Sequence, residues 1–446
     1  MGTCLRWWTI LESEVQIKLM KRLFDLLKNT KEVSDYKVAE IKTHSYQLFY
    51  VAKKLETNRV SDSKEVEVEV YVDENGMRGT GKFKYADYLS DKELNEKLDE
   101  AIYNAKLALN PPFELPKAQP EPIKLVSNLA DRDFASIAED VAKAVFANEM
   151  DNVLYSAATE IFINKVDKHI VNSQGLDTSE TRYYGEIELI PSYDTKEKEV
   201  EIYHMAKFSN FDFDAIKNEV GEVLKMVKDR YNAIDLPKDV RDINVIIDGE
   251  EVGQVFEYFS EDLEYQTKFT QSNLNELGAS VQGDDIKGSK LTLTAAPYYP
   301  GAMLSRSIDR DGISLKERLL VKDGVSVSRF GNNQFGYYLQ EKDITGMLPV
   351  LIVNKGDVSF NEMAKKPYIR CVRFSAMQMD RMTGLVGGEV RLGYYFDGKK
   401  EIPVTGFTFT GNLHELKGLM VYSSDEVTYA GYHGPKYILL PKTNIC

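Results

Sequence analysis

The sequence predicts an α+β fold: two N-terminal α+β units followed by a mostly antiparallel β C-terminal domain carrying one packed helix. Two patterns predict it. Up to about residue 236, segments with apolar residues at helical spacing alternate with segments of period two, whereas from 237 onward almost every apolar run has period two. A third observation places the first boundary, because five of the fourteen prolines (Pro111, Pro112, Pro116, Pro120 and Pro122) fall in one short stretch. Proline fixes φ and removes a backbone donor, so residues 111–123 read as a stiff linker. The expected division is 1–112, 113–236 and 237–446, consistent with a 446-residue chain too long for one average domain.

Taken in order, residues 11–29 carry Val15, Ile17, Leu19, Met20, Leu23, Leu26 and Leu27 on an amphipathic helix. Strands are expected at 38–42, 48–54, 65–73 and 79–84. Between the last two, Asp73-Glu74-Asn75-Gly76 is a hairpin turn, since Asn-Gly accepts the positive φ such turns need. Ser90 with Glu93 three residues on forms a capping box that starts a helix running to about 109. After the prolines the outline repeats, with a helix at 133–148, strands at 154–164, 169–172, 183–190 and 199–207, and a helix at 214–231. Helix, strands, helix thus occurs twice at an offset of roughly 115 residues, a pattern that either an internal duplication or two independent α+β layers would give. From 237 on, one helix is followed by strands at 290–295, 314–322, 348–354, 368–375, 388–395, 402–410 and 437–440, which implies a sandwich or barrel.

Composition bounds the function. A net charge of −14 opposes a nucleic-acid partner, whose affinity would come from Lys and Arg on phosphates. No apolar run approaches the length that spans a bilayer, and the opening MGTCLRWWTILESE lacks the features of a signal peptide or a myristoylation site. Cys4, Cys371 and Cys446 cannot build a disulfide framework and show no CxxC spacing, which points to the cytoplasm.

Familiar catalytic patterns are missing. None of His44, His169, His204, His414 and His433 lies within five residues of another, so no HExxH pair exists, and there is no P-loop, GxGxxG or GxSxG. His414-Glu415 reads as a structural histidine. Asp309-Arg310-Asp311-Gly312 reads as a tight turn because the further ligands of a calcium loop are absent. Attention therefore falls on 245–266, VIIDGEEVGQVFEYFSEDLEYQ. A short strand leads into a helix whose Val252, Val255, Phe256, Phe259 and Leu263 form a core stripe, while Glu250, Glu251, Glu257, Glu261 and Asp262 are expected to form an acidic outer face.

The C-terminal third resembles the TldD/PmbA (TldE) family, known as modulators of DNA gyrase and as subunits of a cytoplasmic zinc peptidase. The likeness rests on five segments in order: VIIDGEEVGQVFEYFSED (245–262), SIDRDGISLKERLLVKDGV (307–325), RFGNNQFG (329–336), TGLVGGEVRLGYYFDGKKEIPVTGFTFTGNL (383–413) and GPKYILL (434–440). Active members carry HExxxH on the helix, two zinc ligands and a general base. Alignment puts Glu257, Tyr258 and Asp262 at the first His, the Glu and the second His, and a one-residue shift offers Phe256 and Glu261 as ligands instead. Neither register restores the site, and the family's late cysteine has no counterpart. The resemblance implies a non-catalytic subunit of the TldE/PmbA type with no catalytic or metal-binding residue and no cofactor of its own. Zinc would reside in an active TldD-like partner, and the bound ligand would be an extended or unfolded peptide. Two alternatives stand beside it: a stand-alone hydrolase with a carboxylate site from Glu257, Asp262 and His433, and a homo-oligomeric peptide-binding scaffold, with a homodimer in place of the TldD-like partner. Glu257 and Asp262 are about 140° apart on an ideal helix, which opposes joint coordination.

Overall fold

The computed structural model describes residues 20–446, so the expected 11–29 helix is seen only over 20–29 and its first half lies outside the described residues. The fold is α+β with mostly antiparallel sheets, and no helix among the described residues is long and apolar enough to cross a membrane. The chain separates into two compact units.

The first unit comprises the described residues 20–42, together with 63–122 and 167–180. Its hairpin turns at Asn75 and Gly76, both at positive φ, with Glu74 paired to Met77, as the Asn-Gly signal required. The helix Asp91–Leu107 starts at Ser90 with its capping box intact and buries Leu94, Leu98, Ala101, Ile102 and Ala105. It lies against the strand Met77–Tyr85 so closely that a Cβ on Gly79 or Gly81 would meet the Ala105 or Ala101 carbonyl oxygen at 1.9 Å. Arg78 of that strand is buried and donates to Asp35 at 2.8 Å, Asp73 at 2.6 Å and the Phe113 carbonyl at 2.7 Å. Residues 111–122 have no regular structure, but they are not a free spacer. Phe113, Leu115 and Pro116 are buried, and Asn172 donates to the Pro116 carbonyl at 2.7 Å.

The second unit comprises 43–62, 123–166 and 181–446. Helices Phe134–Phe146 and Phe213–Asn232, capped by Asp133 and Asp212, bury Ile137, Val141, Val145, Ile216, Val220 and Leu224 against Ile161, Ile163, Ile187 and Leu189. Helix, strands, helix therefore does occur twice along the chain. Element lengths differ from expectation. The predicted pairs 38–42 with 48–54 and 154–164 with 169–172 are single strands, Asp35–Val51 and Leu154–Asn172, and a 21-residue strand, Lys54–Glu74, replaces 65–73. Residues 53–60 are exposed throughout, so no period-two burial signal marks that strand in the sequence.

In the C-terminal part, five strands pair in the order Tyr368–Met379, Ile243–Asp248, Tyr437–Ile445, Phe407–Asn412 and Leu385–Phe396, and the last pairs back to the first, which closes the ring. A six-stranded sheet stands beside it, with Leu293–Ala296, Val350–Val353 and Tyr432–Pro435 in its middle. The helix Glu251–Asp262 packs on both, and its core stripe joins their inner faces in one apolar cluster.

An alanine at Gly81 would force its Cβ into the Ala101 carbonyl. Gly81→Ala is expected to cost roughly 1–3 kcal/mol, the usual price of overpacking, read as a lower urea midpoint with an unchanged slope.

Candidate functional site

The central helix owes its position to the turn that precedes it. Asp248 ends the strand, and Gly249, at φ 101°, turns the chain through the left-handed region that disfavours other residues. Val252, Val255, Phe256 and Phe259 are buried, as their spacing required. Phe256 stacks on Tyr432 at 5.8 Å between centroids and meets Tyr422 edge-on at 5.2 Å. Gly253 lets the helix approach, since a Cβ there would lie 3.2 Å from the Tyr432 ring.

The acidic face is not one surface. Glu250, Glu257, Glu261 and Glu264 line a cleft of about 380 Å³ whose opposite wall is apolar, with Leu304, Phe330, Leu348, Leu351 and Tyr432. Burial by these walls, and the charge of Glu261, raise the Glu257 carboxyl above its ordinary value. The same two causes push Glu264 up to about 7, opposed by Arg381. Glu251 points away from the cleft, and burial lifts it to about 7 as well.

Asp262 is the main departure from the expected outer face. It is 2% exposed, and it accepts hydrogen bonds from the Leu274 and Asn275 amides at 2.5 and 3.0 Å and from the Asn275 side chain at 2.9 Å. Arg381 pairs with it at 3.0 Å. Tyr258 is also buried. Its hydroxyl has no hydrogen-bond partner among the described residues, and burial together with Asp262 pushes it up to about 12.

Glu257, Tyr258 and Asp262 thus do not converge: one faces the cleft, one is buried, and one holds the 272–275 loop. His433 is not brought to them either, being engaged by Tyr299 at 2.8 Å and Thr428 at 3.0 Å and stacked on the Tyr299 ring. This donor set does not fit a zinc ion. The cleft lining holds neither imidazole nor thiolate, and a guanidinium already neutralises the Asp262 carboxylate. His414 is structural, its Nε2 lying 3.0 Å from the Arg381 carbonyl.

Two segments away from the helix support the cleft through contacts that the sequence did not show. The Asp309 turn does form, with Gly312 at φ 81° and the Asp309 carboxylate accepting from the Asp311 and Ile313 amides at 2.8 and 3.0 Å. Its other oxygen accepts from Met347 at 3.3 Å, which anchors one wall of the cleft. Burial and Asp311 raise this carboxyl to about 6. Phe330, in the RFGNNQFG segment, exchanges backbone hydrogen bonds with Leu263 and Tyr265 and closes the helix end of the cleft.

Residues 241–445 match the PmbA/TldA metallopeptidase C-terminal domain. The C-terminal domain is thus of the TldD/PmbA family. Solved structures extend the likeness of fold over 96% of the chain. TldE from Thermococcus kodakarensis has a TM-score of 0.74 at 14% identity, with 100% of that chain covered. A candidate modulator of a DNA gyrase from Thermotoga maritima has 0.74 at 15%, with 99% of it covered. Another from Bacteroides thetaiotaomicron has 0.76 at 15%, with 98% of it covered. No curated protein sequence matches.

Removing the Asp262 carboxylate would leave the largely desolvated Arg381 guanidinium without its counter-charge. Asp262→Ala is expected to destabilise the chain by roughly 3–5 kcal/mol, measured by chemical denaturation, whereas Glu257→Ala changes stability little. Glu251 and Glu264, held at about 7 against an ordinary 4.5, bind protons more tightly folded than unfolded. Their contribution to stability is complete below about pH 4.5 and is lost as pH rises through 7. Glu264→Gln should therefore narrow the difference between urea midpoints at pH 5.5 and pH 8.

Proposed function

We propose that this protein is the catalytically silent subunit of a TldD/TldE-type cytoplasmic peptidase, and that its cleft holds an extended or unfolded peptide. One observation carries the reading. The helix that bears HExxxH in active members presents Glu257 to the cleft here, while the carboxylate at the second ligand position, Asp262, is consumed by Arg381 and two backbone amides. A site that had merely exchanged imidazoles for carboxylates would keep both directed at one point.

The cleft is suited to a peptide with basic and apolar side chains. Its acidic edge would attract the charges, and its Leu304, Phe330, Leu348 and Leu351 wall would cover the apolar groups. Hydrolysis would then belong to a TldD-like partner that supplies the zinc ligands and the general base. The fold shared with TldE from Thermococcus kodakarensis supports this role.

The purified protein is expected to carry no stoichiometric zinc by elemental analysis and to leave a fluorogenic unfolded peptide intact. Cleavage should appear only on addition of a family member with HExxxH. Bound zinc together with autonomous cleavage would overturn the proposal.

A further inference from the structure

The acidic cleft does not end at Glu250. There it shares Glu250, Tyr429 and Ala430 with a second cavity of about 510 Å³ at the N-terminal end of the central helix. The character of the lining changes across that border. The cleft has acidic side chains and no basic one, whereas the second cavity has five lysines and arginines against five carboxylates, with His204 beside them.

Two arginines on the strand Tyr368–Met379 enter this cavity and differ in what they already hold. Arg370 is committed, with Asp248 at 3.0 Å, Glu401 at 3.7 Å and the Tyr394 ring 4.5 Å beneath it. Arg373 has no carboxylate within 4.0 Å among the described residues. Its single hydrogen bond runs from Nη2 to His204 Nδ1 at 3.3 Å, and its Nε is buried without a partner. His204 is 7% exposed, and its Nε2 lies 2.8 Å from a Glu219 oxygen. The ring therefore donates from Nε2 and accepts at Nδ1, so that it orients the guanidinium without neutralising it.

A guanidinium in a half-buried pocket is matched by a planar anion that accepts two of its N–H groups at once. Formal charges in the lining already cancel, so the pocket suits a single negative charge rather than a polyanion. The adjoining cleft would repel a free anion, but it would hold a chain whose side chains are basic or apolar and whose one anionic group is its end. We propose that the pocket around Arg373 receives the C-terminal carboxylate of the peptide lying in the acidic cleft, so that the subunit selects chains by their free end. This inference rests on the peptide-binding reading given above.

The test uses the full chain and an N-terminally labelled octapeptide of alternating lysine and leucine, prepared as the free acid and as the C-terminal amide, with binding followed by fluorescence anisotropy at low salt. The acid is expected to bind at least about tenfold more tightly than the amide, a difference of one charge-assisted contact. In Arg373→Met that ratio should fall to about one while affinity for the amide is unchanged, and Arg373→Lys should keep part of the preference. Equal binding of acid and amide by the unaltered protein would overturn the carboxylate pocket and leave the peptide cleft standing. Binding of neither would overturn the peptide reading itself. An undiminished preference in Arg373→Met would place the carboxylate elsewhere and equally end the proposal. If the methionine variant does not fold, the acid and amide comparison on the unaltered chain still can overturn the pocket, and a ratio in Arg373→Lys as large as in the unaltered chain would end its assignment to Arg373.

Discussion

The site depends on the contact of one helix with one strand. Gly253 removes the side chain that would hold the Glu251–Asp262 helix away from Tyr432, and the Phe256 and Tyr432 rings then stack at 5.8 Å. Helix and strand belong to different parts of the C-terminal architecture, the strand to the six-stranded sheet and the helix to the crossing from the closed ring. Their close approach joins the two in one core and leaves a cleft along the helix, where side chains off the apolar stripe have nothing to pack against. Burial there is partial, which is why carboxylates such as Glu257 and Glu264 are raised without being paired.

On the far side of the helix the opposite condition holds. Asp262 is fully desolvated, and such a carboxylate is tolerable only with its lone pairs satisfied and its charge matched. Two backbone amides, Asn275 and Arg381 meet both needs. This carboxylate serves the fixing of a loop.

Features that depend on local order were legible in the sequence. The capping box at Ser90, the Asn75-Gly76 hairpin and the Val252 to Phe259 stripe each follow from spacing within a few residues, and each is present. The Asp309 turn was legible for the same reason, although its grip on Met347 was not. Strand lengths were less legible. Residues 53–60 have both faces exposed, so their pairing leaves no pattern of alternation in the sequence.

By itself, then, the sequence determined the fold class, the order of the elements and the family likeness, because periodicity and turn chemistry act over short distances. It also determined that the helix lacks histidines. Only the tertiary structure decided which acidic residue does what. Glu257 and Asp262 are chemically alike and five positions apart, and nothing local distinguishes them. Arg381, which meets Asp262 across 119 positions, and Arg373, which meets His204 across 169, were each one arginine among many. The value of a charge is set by what surrounds it in space, and those surroundings come from distant parts of the chain.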